Sequence, residues 1–320
     1  MTVPLINVKI ARKAVLAKDI AGLELVPADG GTLPPFNAGS HIDVHLGGGL
    51  IRQYSICNAP SDRTCYRLGV LREADGRGGS EAVHALEAGQ HIQISEPRNH
   101  FALSSEARHS MLIAGGIGIT PILSMAQALH AQGASFELHY CARTEERMAF
   151  RDELLASDYA GRVHLHFDDG DDAQKFDIEG LSQAPDAGTH LYVCGPTGFM
   201  DAVLASAAKG WPSEAVHREY FAVEPQETDE EDRPFRIKIA STGQIVDIPA
   251  DMAAIDVLEE LGFDIPKSCE QGICGTCITK VLEGTPDHRD FVLTDEEHAE
   301  NDQMTVCCSR AHSDLLVLDL

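Results

Sequence analysis

Five of the nine cysteines in this 320-residue chain lie close together near its end. Cys269, Cys274 and Cys277 have the spacing C-x4-C-x2-C, and the adjacent Cys307 and Cys308 follow after 29 intervening residues. In an extended segment neighbouring side chains point to opposite faces, so only one of that pair can join the others. Four thiolates so spaced are typical of a plant-type [2Fe–2S] cluster. A structural zinc site, which usually pairs C-x2-C units and often includes histidine, is the weaker alternative.

Two glycine-containing loops each follow an apolar run and precede a helical pattern. The segment AGGIGITP, residues 114–121, contains Gly115, Gly116 and Gly118, while Cys194 begins the segment C-G-P. Glycine loops between a strand and a helix are typical of nucleotide phosphate sites. The first loop is not the G-x-G-x-x-G fingerprint, which disfavours a strict Rossmann dehydrogenase. A structural cysteine in a parallel strand remains an equal alternative for Cys194.

An arginine, a tyrosine and a serine end another strand-like run, as R-Q-Y-S at residues 52–55. Arginine can hold a phosphate in a bidentate manner, and tyrosine offers a flat ring and a hydroxyl. The segment GRGGS, residues 76–80, precedes a helical stretch and could bind an anion through backbone N–H groups. The alternatives are an ordinary strand with a surface arginine and a plain turn with an N-capping serine.

The carboxylates of residues 168–172 follow a strand that ends near His166. They lack the glutamate at position twelve of an EF-hand calcium loop. Because nucleotides bind at the carboxyl edge of parallel sheets, a carboxylate there can accept hydrogen bonds from ribose hydroxyls. A solvated turn is an equal alternative, and we assign no ligand role to His164 or His166.

Three stretches of different texture predict a multidomain protein. Residues 1–104 carry short β-rich runs between turns, and their spacing indicates an antiparallel β-barrel or a sandwich, of which we expect the barrel. The predicted strands are Ile20–Val26, His41–Leu46, Ile51–Cys57, Tyr66–Arg72 and His91–Ser95. Residues 105–225 alternate apolar strands with helical stretches, one of them Arg147–Ala156, and predict an α/β domain with a parallel sheet. Residues 226–234 read as an acidic linker. Residues 235–320 predict an α+β, β-grasp-like ferredoxin domain.

Composition limits the partners and the location. A formal net charge of −25 would repel a nucleic-acid backbone. No apolar run approaches the roughly 18 residues of a membrane span, and the first ten residues lack the features of a signal peptide. We therefore expect a cytoplasmic monomer that binds neither nucleic acid nor membrane.

Together these motifs resemble the phthalate dioxygenase reductase family over essentially the whole chain. The resemblance rests on SCEQGICGTC, VCCSR and LLVLDL near the end, on R-x-Y-S, on G-G-x-G-x-T-P and on C-G-P. It implies an enzyme that takes electrons from NADH through FMN to a [2Fe–2S] cluster, and then to a Rieske-type oxygenase. The alternatives are a reductase for a cytochrome P450 or a diiron monooxygenase and, from another class, a redox sensor.

The resemblance also implies roles for individual residues. It makes Cys307 the fourth iron ligand and Cys308 a spare thiol. It places Phe221 against the flavin as a gate and Cys194 where the nicotinamide arrives; Tyr220 is the rival to Phe221, and Glu219 is either a carboxylate near that site or a surface residue. The implied flavin residues are Arg52, Tyr54, Ser55, Gly69, Val70, Leu71, Arg77, Gly78, Gly79 and Ser80. The implied nucleotide residues are Gly115, Gly116, Gly118, Thr120, Asp168, Gly195 and Pro196.

Overall fold

The computed structural model describes residues 5–74, 76–221 and 232–320. The chain divides into two compact units, Met1–Phe221 and Ala222–Leu320, and each is described by itself. Most of the predicted acidic linker, residues 226–231, lies outside the described residues. Within the described ranges, no helix combines the length and the apolarity needed to cross a membrane.

The first half of unit one is an antiparallel six-stranded sheet in the order β4-β3-β6-β1-β2-β5. The Cys57 N–H donates to the Arg67 carbonyl at 2.9 Å, which joins the chain beyond β4 to β5 at the other edge. Alternate side chains form its apolar core, Val8 and Ile10 among them. The elements are β1 (Ile6–Ala17), β2 (Ile20–Pro27), β3 (His41–His45), β4 (Ile51–Ser55), β5 (Tyr66–Leu71), α1 (Gly79–Ala85) and β6 (His91–Ile94).

The second half of unit one is a parallel sheet in the order β11-β10-β7-β8-β9. The chain moves outward in one direction from β7 to β9 and then returns to β10 on the other side of β7. Ligands bind at such a reversal, outside the carboxyl ends of the strands. The elements are β7 (His109–Gly115), α2 (Ile119–Ala131), β8 (Ser135–Ala142), α3 (Arg151–Leu155), β9 (Val163–Phe167), β10 (Thr189–Cys194), α4 (Thr197–Ala207) and β11 (Val216–Glu219).

Two sequence predictions for unit one need correction. The twelve-residue β1 was missing from the predicted strands, because its charged residues Lys9, Arg12 and Lys13 obscure the alternation. The predicted helix Arg147–Ala156 is only α3, residues 151–155. Phe150 precedes it with a φ of 61°, a left-handed conformation that no α-helix can continue through.

Unit two is a mixed five-stranded sheet in the order β13-β12-β18-β14-β16, with β12 and β18 parallel. Ile255 and Leu258 of α5 belong to the same core as the sheet, as the β-grasp-like prediction requires. The elements are β12 (Phe235–Ile239), β13 (Ile245–Ile248), α5 (Ala254–Glu260), β14 (Ile278–Glu283), β15 (Pro286–Asp287), α6 (Asp295–Glu300), β16 (Gln303–Thr305), β17 (Arg310–Ala311) and β18 (Leu315–Leu318).

Candidate active site and metal centre

The two glycine loops of the parallel sheet lie side by side at the strand-order reversal. β7 and β10 are neighbours, and Ala114 is paired with Cys194. A Cβ atom on Gly118 would lie 2.2 Å from the Cys194 carbonyl oxygen, and one on Gly195 would lie 3.0 Å from the Gly115 Cα. Because only glycine permits this approach, the sequence of both loops is set by their packing.

Three polar groups meet at the same edge of the sheet. Cys194 is fully buried at the end of β10, beside Glu219 at the end of β11. The Ser55 hydroxyl, from β4 of the barrel, donates to Glu219 Oε2 at 3.4 Å. Burial raises the pKa of Glu219 to about 8, so its carboxyl group keeps a proton at neutral pH. Burial also raises the pKa of the Cys194 thiol, with a further contribution from Glu219.

Glu219 is the residue that the sequence left open. Its only sequence signal is its place in the run R-E-Y-F after an apolar strand. Its hydrogen-bond partner Ser55 lies 164 residues away in the chain, so a local sequence pattern could not have predicted this contact.

Arg52 joins the barrel strand to the predicted phosphate loop. Its guanidinium donates to the Ile51 carbonyl at 2.8 Å and to the Arg77 carbonyl at 2.9 Å. A Cβ atom on Gly79 would lie 2.4 Å from Arg52 Cγ, so glycine is needed where the arginine crosses the start of α1. The structure therefore brings Arg52 together with residues 77–79. Nearby on β4, burial raises the pKa of Tyr54 to about 12.

The predicted anion site at the start of α1 relies on backbone rather than on the serine side chain. Gly78 precedes the helix with a φ of 76°, and no side chain caps it. The Ser80 hydroxyl instead accepts from the Glu73 N–H at 3.1 Å. The alternative of an N-capping serine is therefore wrong. The anion site stays a prediction, and it depends on the backbone N–H groups of this segment.

Neighbouring residues of the strand segment 69–71 face different parts of unit one. A Cβ atom on Gly69 would lie 3.0 Å from Thr120 Cγ2 and 3.2 Å from Phe150, so Gly69 opens toward the nucleotide half of the unit. The Val70 side chain is buried in the barrel core instead. Only the backbone of Val70 can therefore face a ring laid along β5. Phe150 lies beside Gly69, although no motif in the sequence pointed to it.

Two further predicted residues lie at the rim of the sheet. Phe221 is the second residue after the end of β11 and is 37% exposed, whereas Tyr220 packs against the apolar core that includes Met200 and Val203. Asp168 follows β9 and is exposed, with its N–H donating to the Ala142 carbonyl at 3.1 Å.

The four predicted iron ligands are buried in unit two, and their side chains meet in two pairs. The Cys269 thiol hydrogen-bonds with Cys274, and the Cys307 thiol with Cys277. The loop supplies donors as well: the Gln271 N–H donates to Cys269 Sγ at 3.3 Å, and the Thr276 N–H to Cys274 Sγ at 3.5 Å. N–H groups aimed at sulfur stabilise thiolates, so this donor set fits a [2Fe–2S] cluster.

Cys308 makes different contacts from its neighbour. Its sulfur lies 3.2 Å from the Thr305 hydroxyl and only 2.5 Å from where a Cβ of Gly272 would stand. Cys307 instead meets Cys277 and a backbone N–H at Gly272. The two thiols also hydrogen-bond with each other, because residues 306–308 form a turn and not the extended segment that the sequence led us to expect. The choice of Cys307 as the fourth ligand therefore stays a prediction.

Comparison with known proteins agrees with this arrangement of domains. A model of the 2Fe-2S iron-sulfur cluster binding domain matches residues 237–312, and one of the oxidoreductase NAD-binding domain matches residues 112–205. The chain is 55% identical to a vanillate O-demethylase oxidoreductase of Pseudomonas sp. over 99% of this chain and 100% of that protein. It is 40% identical to phthalate dioxygenase reductase of Burkholderia cepacia over 98% of this chain and 97% of that one.

Solved structures give the same result. A crystal structure of phthalate dioxygenase reductase matches with a TM-score of 0.72 and 40% identity, over 99% of this chain and 98% of that one. An intact type IV self-sufficient cytochrome P450 monooxygenase matches with a TM-score of 0.91 and 37% identity, and this chain spans 41% of its length.

Fold and site together define a flavin-dependent, pyridine-nucleotide-oxidising reductase with its own iron–sulfur domain. The chain belongs to the phthalate dioxygenase reductase family. The predicted cofactors, FMN, NADH and a [2Fe–2S] cluster, are confirmed. So is the predicted function, an oxidoreductase that passes electrons through the cluster to a terminal oxygenase.

Proposed function

We propose that this reductase serves a Rieske-type oxygenase that acts on an aromatic acid, with NADH as the electron donor. The observation that carries the chemistry is the meeting of both glycine loops, Cys194 and Glu219 at the strand-order reversal, opposite Ser55 of the barrel. The support for the partner is the relatedness to vanillate O-demethylase and phthalate dioxygenase reductase components. The cytoplasmic, monomeric state stays a prediction.

FMN, when bound, accepts hydride as an electron pair and releases electrons singly, which a one-electron cluster requires. Arg52 would hold its phosphate together with the N–H groups of residues 77–80, and Tyr54 and the backbone of residues 69–71 would lie along its ring. Helix-start N–H groups carry the partial positive charge that a phosphate needs. Arg52 is already fixed by its two carbonyl contacts, which lowers the entropy lost on binding.

The loops at 115–118 and 194–196 would position the nicotinamide. Their close backbone contact leaves the edge of the sheet open for a flat ring, and α2 begins directly after the first loop. The protonated Glu219 can donate a hydrogen bond at neutral pH, and Cys194 supplies a buried thiol beside it. Phe221, half-exposed at the end of β11, would cover the flavin until the nicotinamide displaces it.

Asp168 would select NADH over NADPH. Its carboxylate stands at the carboxyl end of β9, where it can accept from ribose hydroxyls and would repel a 2′-phosphate. Arg143 and Arg147 follow β8 and could instead receive such a phosphate. Steady-state kinetics with both nucleotides decides between these readings: we expect the higher kcat/KM for NADH, and a higher value for NADPH would overturn the assignment.

A cytochrome P450 is the second candidate partner, because the same three-part arrangement occurs within a self-sufficient P450 chain. The test mixes the purified reductase and NADH separately with a vanillate-type Rieske oxygenase and with a substrate-loaded P450. Product formation with the first alone supports the proposal, and product formation with the P450 alone contradicts it. Reduction of an artificial acceptor in both mixtures confirms that the reductase is active.

A further inference from the structure

Two histidines and an aspartate form a cluster in unit two that the cysteine centre does not use. His288 Nδ1 lies 3.7 Å from Asp290 Oδ1, and His298 Nε2 lies 3.3 Å from Asp290 Oδ2. The two imidazole rings stack with centroids 4.3 Å apart. One ligand atom from each residue can be chosen so that all lie within 4.8 Å of one another.

The cluster leaves buried polar atoms without partners. The Asp290 side chain is fully buried and that of His288 is 9% exposed. Both ring nitrogens of His288 and Oδ1 of Asp290 have no hydrogen-bond partner among the described residues. Such atoms are rare in folded proteins, since a buried polar atom without a hydrogen bond destabilises the folded state. One of the His288 nitrogens, Nδ1, lies 3.7 Å from Oδ1 of Asp290, which indicates that something polar or charged belongs between these two atoms.

The three side chains are held in place from outside the cluster. The Leu293 N–H donates to Asp290 Oδ2 at 2.9 Å, which fixes the carboxylate and leaves Oδ1 free. His298 lies in α6, whose start is fixed by a reciprocal capping box between Thr294 and Glu297. A site whose ligands are positioned before binding loses less entropy when an ion arrives.

We propose that His288, Asp290 and His298 bind a divalent first-row transition-metal cation, for which Zn²⁺ is the probe. Two imidazoles and one carboxylate are a common ligand set for such ions. One ligand atom from each residue lies within 4.8 Å of the others, so small rotations of the two stacked rings would bring all three atoms to about 2.0–2.2 Å from one cation. Water would complete the coordination, entering past His298, whose side chain is 25% exposed.

A second group of possible ligands makes the contrast clear. Glu137, His139 and His164 also lie within 4.8 Å of one another, but none of their side-chain atoms is among the buried atoms without a hydrogen-bond partner in the described residues. His139 Nδ1 lies 3.1 Å from His166 Nε2, and its Nε2 lies 3.7 Å from Glu137. That group is also more exposed. We therefore assign the cation to the buried group and use the second group as a control.

The proposed site borders the cysteine loop but is distinct from it. The Phe291 N–H donates to the Gly272 carbonyl at 2.9 Å, and Asp290 Cα lies 2.9 Å from where a Cβ of Gly272 would stand. A cation at Asp290 would therefore stabilise the segment against which the cysteine loop packs.

The test uses the untagged holoprotein dialysed against micromolar Zn²⁺, with bound zinc and iron measured together by mass spectrometry. We expect His298→Gln, which keeps a hydrogen-bond donor toward Asp290, to bind one Zn²⁺ per chain fewer than the wild type. His164→Ala, in the second group, should keep that equivalent. Both variants should retain two irons per chain.

Equal zinc in the wild type and the His298→Gln variant, or loss of the equivalent in the His164→Ala variant alone, would overturn the proposal. If His298→Gln loses iron, zinc-edge anomalous diffraction from wild-type crystals gives the answer directly. A peak between His288, Asp290 and His298 supports the site, and zinc elsewhere or absent contradicts it.

Discussion

The metal centre of unit two and the crevice of unit one are assembled in different ways. Three of the four cluster ligands lie within residues 269–277, on a single loop whose own N–H groups face the sulfurs. The crevice instead joins Ser55 to Glu219 across 164 residues, and it forms only because the barrel and the parallel sheet pack together. A substitution in the metal centre should therefore affect that centre alone, whereas a substitution in the crevice should also affect how the barrel and the parallel sheet pack together.

The largest effect should come from removing a cluster ligand. Cys274→Ala takes away one of four thiolates and its pairing with Cys269, so the visible absorption of the [2Fe–2S] centre should disappear. Reduction of the flavin by NADH should remain largely intact, because those residues belong to unit one. Absorbance and stopped-flow reduction measure the two separately.

Cys308→Ala is the matched control, since this thiol hydrogen-bonds with Thr305 and Cys307 but has no recorded bond to Cys277, the partner of Cys307. It should keep both irons, whereas Cys307→Ala should lose them. The opposite pattern, with iron lost only in the Cys308 variant, would reverse the ligand assignment.

A single methyl group in the crevice should have the next largest effect. In Gly118→Ala the new Cβ would stand 2.2 Å from the Cys194 carbonyl oxygen, so the two loops must separate at a cost of about 1–3 kcal/mol. We expect a lower melting temperature and a KM for NADH raised by about tenfold, since 1.4 kcal/mol corresponds to that factor.

Gly198→Ala provides the control for that change, because nothing lies within 4 Å of its Cβ position and alanine favours helix α4. Its melting temperature and KM should match the wild type or improve slightly. If Gly118→Ala behaves like this control, the two loops are not held by the contact described.

The same contrast explains what the sequence could predict. Three of the cysteines lie on one loop that would wrap around the cluster. Their spacing in the sequence was therefore enough to predict them as iron ligands before the fold was known. The glycine loops were found because strand, glycine and helix follow one another in the chain. Glu219 and Phe150 could not be selected, since their neighbours Ser55 and Gly69 come from another half of the unit.

The fold prediction was wrong in two segments, where the local sequence pattern differs from what the packing of the folded protein requires. In β1, lysine and arginine at exposed positions hide the alternation that buries Val8 and Ile10. In the segment before α3, the helical pattern is real, but Phe150 adopts a φ of 61° and packs beside Gly69. Packing has overridden helix propensity there.

The carboxyl group in the crevice should make the stability of the protein depend on pH. Burial raises the pKa of Glu219 from 4.5 to about 8, so the folded protein holds a proton that the unfolded chain releases. The free energy of unfolding therefore falls as pH rises between those values. Glu219→Gln should remove this slope, measured by denaturant unfolding at pH 5 and pH 9.

Ser55→Ala sharpens that prediction. The Ser55 hydroxyl donates to Glu219 and lowers its pKa, so its removal should move the inflection of the stability curve to higher pH. An inflection that stays in place, or a slope that survives in the Glu219 variant, would assign the titration to another group.

The smallest effect should come from Phe221, because it acts at the rim of the crevice and not in its packing. The resemblance places an aromatic ring against the flavin here, and Phe221 is 37% exposed, while Tyr220 packs into the core with Met200. Phe221→Ala should shift the flavin spectrum and change the stopped-flow hydride-transfer rate within about tenfold, with an unchanged melting temperature. Tyr220→Ala should lower the melting temperature and leave the spectrum alone. A spectral shift in the Tyr220 variant only would show that Tyr220, and not Phe221, covers the flavin. The assignment of the protein as a reductase would not change.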